Sequence, residues 1–242
     1  MDSKVIVISG ASSGIGEATA SNLAERGAKL VLAARGEEKL LSVADKINKA
    51  GGQAVPVSMD VSTRADWTKV IEAAQVHYGR LDVLVSSAGA MPIGPVGDLA
   101  VDDWEQMVNV NLLGMLYGVA AALPIFRQQA QGHFVNIAST AARKTTPNQA
   151  IYSATKAAVL AFSDGLRQEL AGKLRVTVIS PGVTDTHFAE HIRDDTLRSK
   201  MKEAAEDYAM APAAVAAAIA YAIEQPNEIN IGEIVLRSTA QP

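Results

Sequence analysis

The sequence predicts a single doubly wound parallel α/β domain, on three observations. Short β-branched runs recur along the 242 residues, amphipathic helical stretches separate most of them, and no low-complexity linker, repeat or long charge run breaks the alternation. At 48% hydrophobic content the chain can bury one full core, which fits one domain better than two small ones.

Seven strands are expected, buried on both faces of a seven-stranded parallel sheet. They are "VIVIS" (5–9), "LVLAA" (30–34), "AVPVSM" (54–59), "DVLVSS" (82–87), "HFVNIAS" (133–139), "RVTVIS" (175–180) and "EIVLR" (233–237). Between the first four lie "GEATASNLAERG", "EEKLLSVADKINKAGG" and "ADWTKVIEAAQVHYG", each helical in period and closing at a glycine able to cap a helix in the left-handed conformation. Ligands in such a fold collect at the carboxyl ends of the strands. The stretch from about 185 to 210 mixes charges and aromatics before the last long helix. It reads either as a substrate lid or as a pair of solvated amphipathic helices.

Composition narrows the function classes. A formal charge of −4 supplies no basic field for a phosphate backbone, which argues against nucleic acid and for a small-molecule partner. With no cysteines, disulfides and thiolate metal sites are impossible. The start "MDSKVIVISG" is too short in its apolar run for a secretory signal, so a cytoplasmic location is expected. The apolar stretches "GMLYGVAAALPIF" and "APAAVAAAIAYAI" fall short of the roughly 18 to 20 residues that span a bilayer, and no membrane partner is expected. His77, His133, His187 and His191 are scattered; His187 and His191 are four apart but lack an obvious third ligand, so no metal site is expected.

After the first strand comes "SGASSGIGEATA". Gly10, Gly14 and Gly16 stand where a strand must turn sharply into a helix and let its backbone approach a pyrophosphate, which then meets the amides of the helix N-terminus around Ile15. A strand before, a helix after and a second strand beyond are the context that gives such a motif meaning, and they define a Rossmann-type unit. The spacing G-x-x-x-G-x-G resembles the opening of the short-chain dehydrogenase/reductase family, with Ser9 in place of the usual Thr.

The end of the second strand discriminates between nicotinamide cofactors, since a carboxylate there accepts from the adenosine ribose and an arginine meets a 2′-phosphate. "LAARGEE" puts Ala34 at the acidic position and Arg35 after it, which predicts NADP(H), with Ser12 and Ser13 as helpers in the turn. The competing reading has Arg35 merely solvated and Glu37 or Glu38 reaching the ribose. The resemblance implies that Asp60, followed by Val61, contacts the adenine; the residues alone equally allow a turn or helix cap. "SSAG", comprising Ser86, Ser87, Ala88 and Gly89, replaces the family's N-N-A-G. Backbone contacts survive that departure, whereas the amides that brace the sheet are lost.

Tyr152 and Lys156 in "YSATK" lie one helical turn apart on one face. Hydride exchange between a nicotinamide and a carbonyl carbon needs a positioned acid/base, and a nearby cation favours phenolate, so Lys156 is expected to lower the phenol's pKa. Lys156 can also bond ribose hydroxyls. Ser139, ending the fifth strand in "VNIAST", can donate to the substrate oxygen, and its thirteen-residue separation from Tyr152 is the common one in the resembled family. The resemblance implies that Asn111, in "NVNLLGMLYG", bends its helix and holds a water that relays protons to the lysine; the alternative is a satisfied core amide. "PGVTDT" follows the sixth strand and matches P-G-x-x-x-T. There Pro181, Gly182 and Val183 offer backbone groups, and Thr184 and Thr186 hydroxyls, to the nicotinamide carboxamide.

The resemblance runs from residue 3 to about 186, and with it Asn111, Ser139, Tyr152 and Lys156 form a tetrad. It implies an NADP(H)-dependent oxidoreductase interconverting a ketone and a secondary alcohol, in the branch of 3-hydroxy acid and serine dehydrogenases and carbonyl reductases. A 3-ketoacyl carrier-protein reductase shares these motifs, and a non-catalytic NADP(H)-sensing protein is the alternative of another class. The family also implies a homotetramer, a dimer of dimers, to which the Ala-rich face of "YSATKAAVLAFSDGLRQELAG" could contribute. Ala90, Met91, Ala141, Gln149, Val183 and Phe188, with His187, are expected near the substrate, and Arg143 or Lys144 near any carboxylate.

Overall fold

The computed structural model describes residues 1, 3–186, 188, 190 and 192–241. Its seven strands are β1 (Val5–Ser9), β2 (Lys29–Ala34), β3 (Gln53–Ser58), β4 (Val83–Ser86), β5 (His133–Ile137), β6 (Arg175–Pro181) and β7 (Glu233–Leu236). All pair in parallel, in the order β3-β2-β1-β4-β5-β6-β7. The β-branched runs are buried because helices cover both faces. On one side α1 (Gly14–Glu25), α2 (Glu37–Lys49) and α8 (Pro212–Glu224) close a core containing Ile8, Leu32 and Ile219; on the other, α3 (Arg64–Tyr78) and α5 (Gly114–Gln129) close one around Trp67, Phe126 and Phe134, to which α6 (Ala150–Glu169) adds Leu166. Pro56 lies in β3, an edge strand, where a missing amide costs no ladder bond on the open side.

The chain leaves β1 toward β2 and β3, then returns to place β4 on β1's other side. That reversal opens a crevice between the carboxyl ends of β1 and β4, the place where such sheets take ligands.

The span expectation needs correction in one respect. α4 (Val101–Val108), a π turn (Asn109–Leu113) and α5 run on without interruption, so the helical segment Val101–Gln129 is 29 residues and is long and apolar enough to cross a membrane by length and composition. "GMLYGVAAALPIF" is short only when counted without the π turn that joins it to α4. Val119, Ala122 and Phe126 of this segment are buried in the sheet core. The 185–210 stretch holds one long helix, α7 (Asp195–Tyr208), capped by the Asp194 carboxylate, which accepts from the Leu197 amide.

At the opposite, amino edge of the sheet His133 is buried, and its Nε2 lies 2.8 Å from Thr177 Oγ1, which itself donates to the Ile231 carbonyl. Thr177 has given its proton away, so His133 Nε2 carries the hydrogen. Burial, with Arg175 and Lys4 nearby, holds the imidazole pKa well below 6.5. The fold therefore takes up the neutral ring, and its stability is fully present above pH 6.5. As pH falls below 6.5 the unfolded chain binds the extra proton first, and stability drops by up to about 1.4 kcal/mol per pH unit. Urea unfolding at pH 7.5 and pH 5.5 should reveal this loss, and His133→Gln should remove that part of the slope.

Candidate active site

Two glycines let the β1 turn close on its surroundings. Gly10 has a φ of +70°, and a Cβ on it would lie 2.8 Å from the Ala88 Cα, so the β1 turn can approach the β4 turn only without a side chain. A Cβ on Gly16 would meet the Gly10 carbonyl oxygen at 2.1 Å. Ser13 caps α1 but its hydroxyl makes no cap bond, leaving that side chain and the first-turn amides facing the turn. This is a backbone cradle at a helix N-terminus, and the pyrophosphate of a dinucleotide fits its chemistry. Ser9 does what the missing amides of the β4 turn do not: its Oγ accepts from the Ser87 and Ala88 amides at 3.1 and 3.2 Å. The Ser86 and Ser87 hydroxyls are buried without a partner among the described residues.

Arg35 is exposed beyond the end of β2 and forms no ion pair with a described residue. Asp60 accepts from the Ser62 amide at 2.9 Å and the Ser62 hydroxyl at 2.7 Å, so one carboxylate oxygen closes a local turn. Val61 is buried, packs against Gly114, and accepts from the Trp67 indole through its carbonyl at 3.0 Å. It supports the crevice from below.

The carboxyl ends of β4, β5 and β6 and the N-terminal half of α6 carry the remaining groups. Tyr152 and Lys156 share a face of α6, both buried, with Nζ 5.9 Å from the ring centroid. Nζ donates to the Ile137 carbonyl at 2.9 Å. Ser139 begins a 3₁₀ turn (Thr140–Ala142), its Oγ accepting from the Ala141 amide at 3.1 Å, and this hydroxyl is close enough to the phenol to oppose its pKa rise by hydrogen bonding. The phenol pKa is nevertheless raised, because burial outweighs Ser139. Lys156 does not lower it from within the chain, contrary to the expectation from spacing. The amine is itself so desolvated that its pKa falls to about 8, and its hydrogen bond goes to a carbonyl.

Asn111 sits within the π turn, which locally widens the helix where the sequence implied a bend. Its Oδ1 accepts from the Ala90 amide at 2.7 Å, and its Nδ2 donates to the Ala90 carbonyl at 2.9 Å and to Thr155 Oγ1 at 3.1 Å. The side chain is thus a satisfied core amide that clasps the β4 turn to α6. Thr155, which also donates to the Tyr152 carbonyl at 2.7 Å, had no assigned part in the sequence reading. Only its place inside "YSATK" hinted at one.

After β6 the chain folds back over the glycine turn, bringing the Thr186 methyl within 3.0 Å of where a Gly14 Cβ would be and the Phe188 ring within 3.4 Å of the equivalent point on Gly89. The Thr184 hydroxyl donates to the Gly182 carbonyl and that of Thr186 to the Thr184 carbonyl. The Val183 amide donates to Gln241 Oε1 at 3.1 Å, and its carbonyl accepts from the Met210 amide at 3.0 Å. These backbone groups already have partners within the chain. Gln241 gave no signal in sequence, being a polar residue near a terminus. Arg143 pairs with Glu233, whose other oxygen accepts from Ser180, whereas Lys144 stays exposed. Ala90 is buried and Gln149 precedes α6. His187 and His191 lie outside the described residues.

A parallel sheet with a glycine cradle at its switch point and an adjoining Ser, Tyr and Lys defines the class of Rossmann-fold oxidoreductases. Residues 4–197 match the model of the short chain dehydrogenase family, and the chain belongs to that family. An uncharacterised oxidoreductase of Listeria innocua is 43% identical over 99% of this chain and 98% of its own length. Among solved structures, the closed form of a serine dehydrogenase complexed with NADP+ superposes with a TM-score of 0.91 at 29% identity, covering 98% of this chain and 96% of that one. A short chain dehydrogenase/reductase from Burkholderia phymatum in complex with NAD gives 0.88 at 29% identity, covering 97% and 89%.

Proposed function

We propose that this oxidoreductase interconverts a ketone and a secondary alcohol with NADP(H), using Tyr152 as acid/base. The observation that carries the reading is the convergence of Ser139, Tyr152 and Lys156 at the strand ends, beside a cradle that only glycines allow. The cofactor supplies or accepts the hydride at the carbonyl carbon. Tyr152, kept protonated by burial, gives its proton to the substrate oxygen in reduction, and the Ser139 hydroxyl donates to the same oxygen. Lys156 would hold the ribose hydroxyls of a bound cofactor and so place its ring beside the phenol. Asn111 positions both through Ala90 and Thr155. The likeness to a serine dehydrogenase bound to NADP+ supports this reaction class. A spectrophotometric screen of NADPH and NADH oxidation against simple ketones, keto esters and 3-oxo acids tests it.

Arg35 carries the choice of cofactor. It is an exposed cation without an ion-pair partner among the described residues at the β2 end, next to a buried Ala34 that offers no carboxylate to a ribose. Arg35→Ala should cut the kcat/KM preference for NADPH over NADH by about tenfold or more, the usual worth of a charge-assisted phosphate contact. An unchanged preference would assign the choice to other residues. The segment beyond β6, including α7, is proposed as the substrate lid.

A further inference from the structure

The backbone of the turn after β6, residues 182–186, is largely consumed within the protein. The Gly182 amide donates to the Leu236 carbonyl at 2.8 Å, while Met210, just before α8, donates to the Val183 carbonyl at 3.0 Å and accepts from the Asp185 amide at 2.9 Å. This is a parallel bridge between Thr184 and Met210, in which the amide and carbonyl of Thr184 itself point to the opposite edge. On that edge the Thr184 carbonyl accepts from the Thr186 hydroxyl, and the Thr186 methyl meets the Gly14 position. The Thr184 amide, without a partner among the described residues, therefore faces the glycine cradle. The Val183 amide is taken by a residue 58 positions on, since Gln241 Oε1 accepts from it at 3.1 Å. A turn after β7 brings that side chain there, the Gln241 amide donating to the Ser238 carbonyl at 3.1 Å. Gly182 makes the room. It is not among the glycines with positive φ, so no backbone constraint calls for glycine, but a Cβ on it would overlap Gln241 Oε1.

We propose that Gln241 is a positioning residue for the cofactor: by taking the Val183 amide across Gly182, it fixes the turn so that Thr184 presents its amide to the carboxamide of a bound nicotinamide. The inference rests on the nicotinamide reading above and concerns only that half of the cofactor. Met210 fixes the turn on one edge, through Val183 and Asp185, and Gln241 adds the bond that its first amide lacks. Without Gln241 the half-buried Val183 amide could turn to water, which satisfies a donor but does not hold the backbone in one place. The loss would then fall on orientation of the nicotinamide, a few residues away, and little on the stability of the fold. A neutral carboxamide also suits the place, since it adds an acceptor without adding charge.

The test is calorimetric. Dissociation constants are measured for NADPH and for 2′-phospho-ADP-ribose, the same molecule without its nicotinamide, and likewise for NADH and ADP-ribose; each ratio isolates what the nicotinamide adds. Gln241→Ala should cut the ratio about fivefold to tenfold, the worth of one hydrogen bond, and leave binding of the nicotinamide-free ligand unchanged. Gly182→Ala should do the same by expelling the flexible end of Gln241, and the double variant should be no worse than either single one. Gln241→Glu keeps the acceptor and should keep the ratio. A wild type in which only the NADH pair binds, with the ratio still lost in Gln241→Ala, would defeat the choice of NADP(H) and keep the inference. An unchanged ratio in Gln241→Ala, while the wild type reduces ketones with NADPH, would overturn the inference and keep the assigned reaction. Equal weakening of both members of a pair would overturn it too, because a merely structural residue gives that result.

Discussion

Tyr152→Phe should lower kcat for the proposed ketone reduction by about 10³-fold, within the range lost when a positioned general acid is removed, and should leave NADPH affinity within about twofold of the wild type. The substitution takes away one oxygen and keeps the ring, which packs with Ile93, Met107 and Ile192, so the fold should persist. The phenol is the group in position to give the proton: it is buried, its pKa is raised, and it adjoins the Ser139 hydroxyl. The raised pKa also sets the pH behaviour. Reduction uses the protonated phenol and should be flat through neutral pH, whereas alcohol oxidation needs phenolate and should speed up with alkalinity. Initial rates in both directions between pH 6 and 10, with a fluorescence titration of cofactor, check both statements. Retention of near-wild-type kcat would remove Tyr152 from the mechanism.

The sheet was legible because its signal is compositional. Runs such as "VIVIS" and "RVTVIS" are continuous in β-branched residues, and burial on both faces requires that. The glycine turn was legible because its constraint is local: Gly10 and Gly16 are tied to positions a few residues away in chain or across one strand. Other contacts depend on residues far apart in sequence. Ser9 bracing residues 87 and 88, Gln241 on Val183, and Arg193 on Asp103 join ordinary polar residues that nothing nearby marks as partners. The Lys156 expectation failed for a related reason. Helical spacing places two side chains on one face, but the sign of a pKa shift depends on how much water the whole fold removes, and burial dominated for both groups. The continuous helix through residues 101–129 was hidden by its π turn, which no periodicity count at 3.6 residues anticipates.

Lys156→Met should make the protein more stable and nearly inactive, because the same burial that shapes the site burdens the fold. Lys156 is 5% exposed, and its pKa falls from the ordinary 10.5 to about 8. The fold thus prefers the neutral amine, and at neutral pH, where the amine is protonated in both states, that preference costs about 3 kcal/mol. Met matches the aliphatic stem and removes the charge. The Ile137 carbonyl loses its 2.9 Å donor, which offsets part of the gain and leaves about 1–2 kcal/mol, or roughly 2–8 °C in Tm for a chain of this size. The sign can be checked by pH. From pH 8 to 10.5 the unfolded chain holds the lysine proton that the folded chain has released, so wild-type stability rises across that window and the variant's advantage shrinks. Activity should fall by about 10²-fold or more, since the contact that would orient the cofactor ribose is gone. Thermal melts of both proteins at pH 7 and pH 10, with kcat measured at pH 7, decide the matter: a variant less stable than wild type at pH 7 would mean that Nζ is paired more strongly than its bond to Ile137 implies.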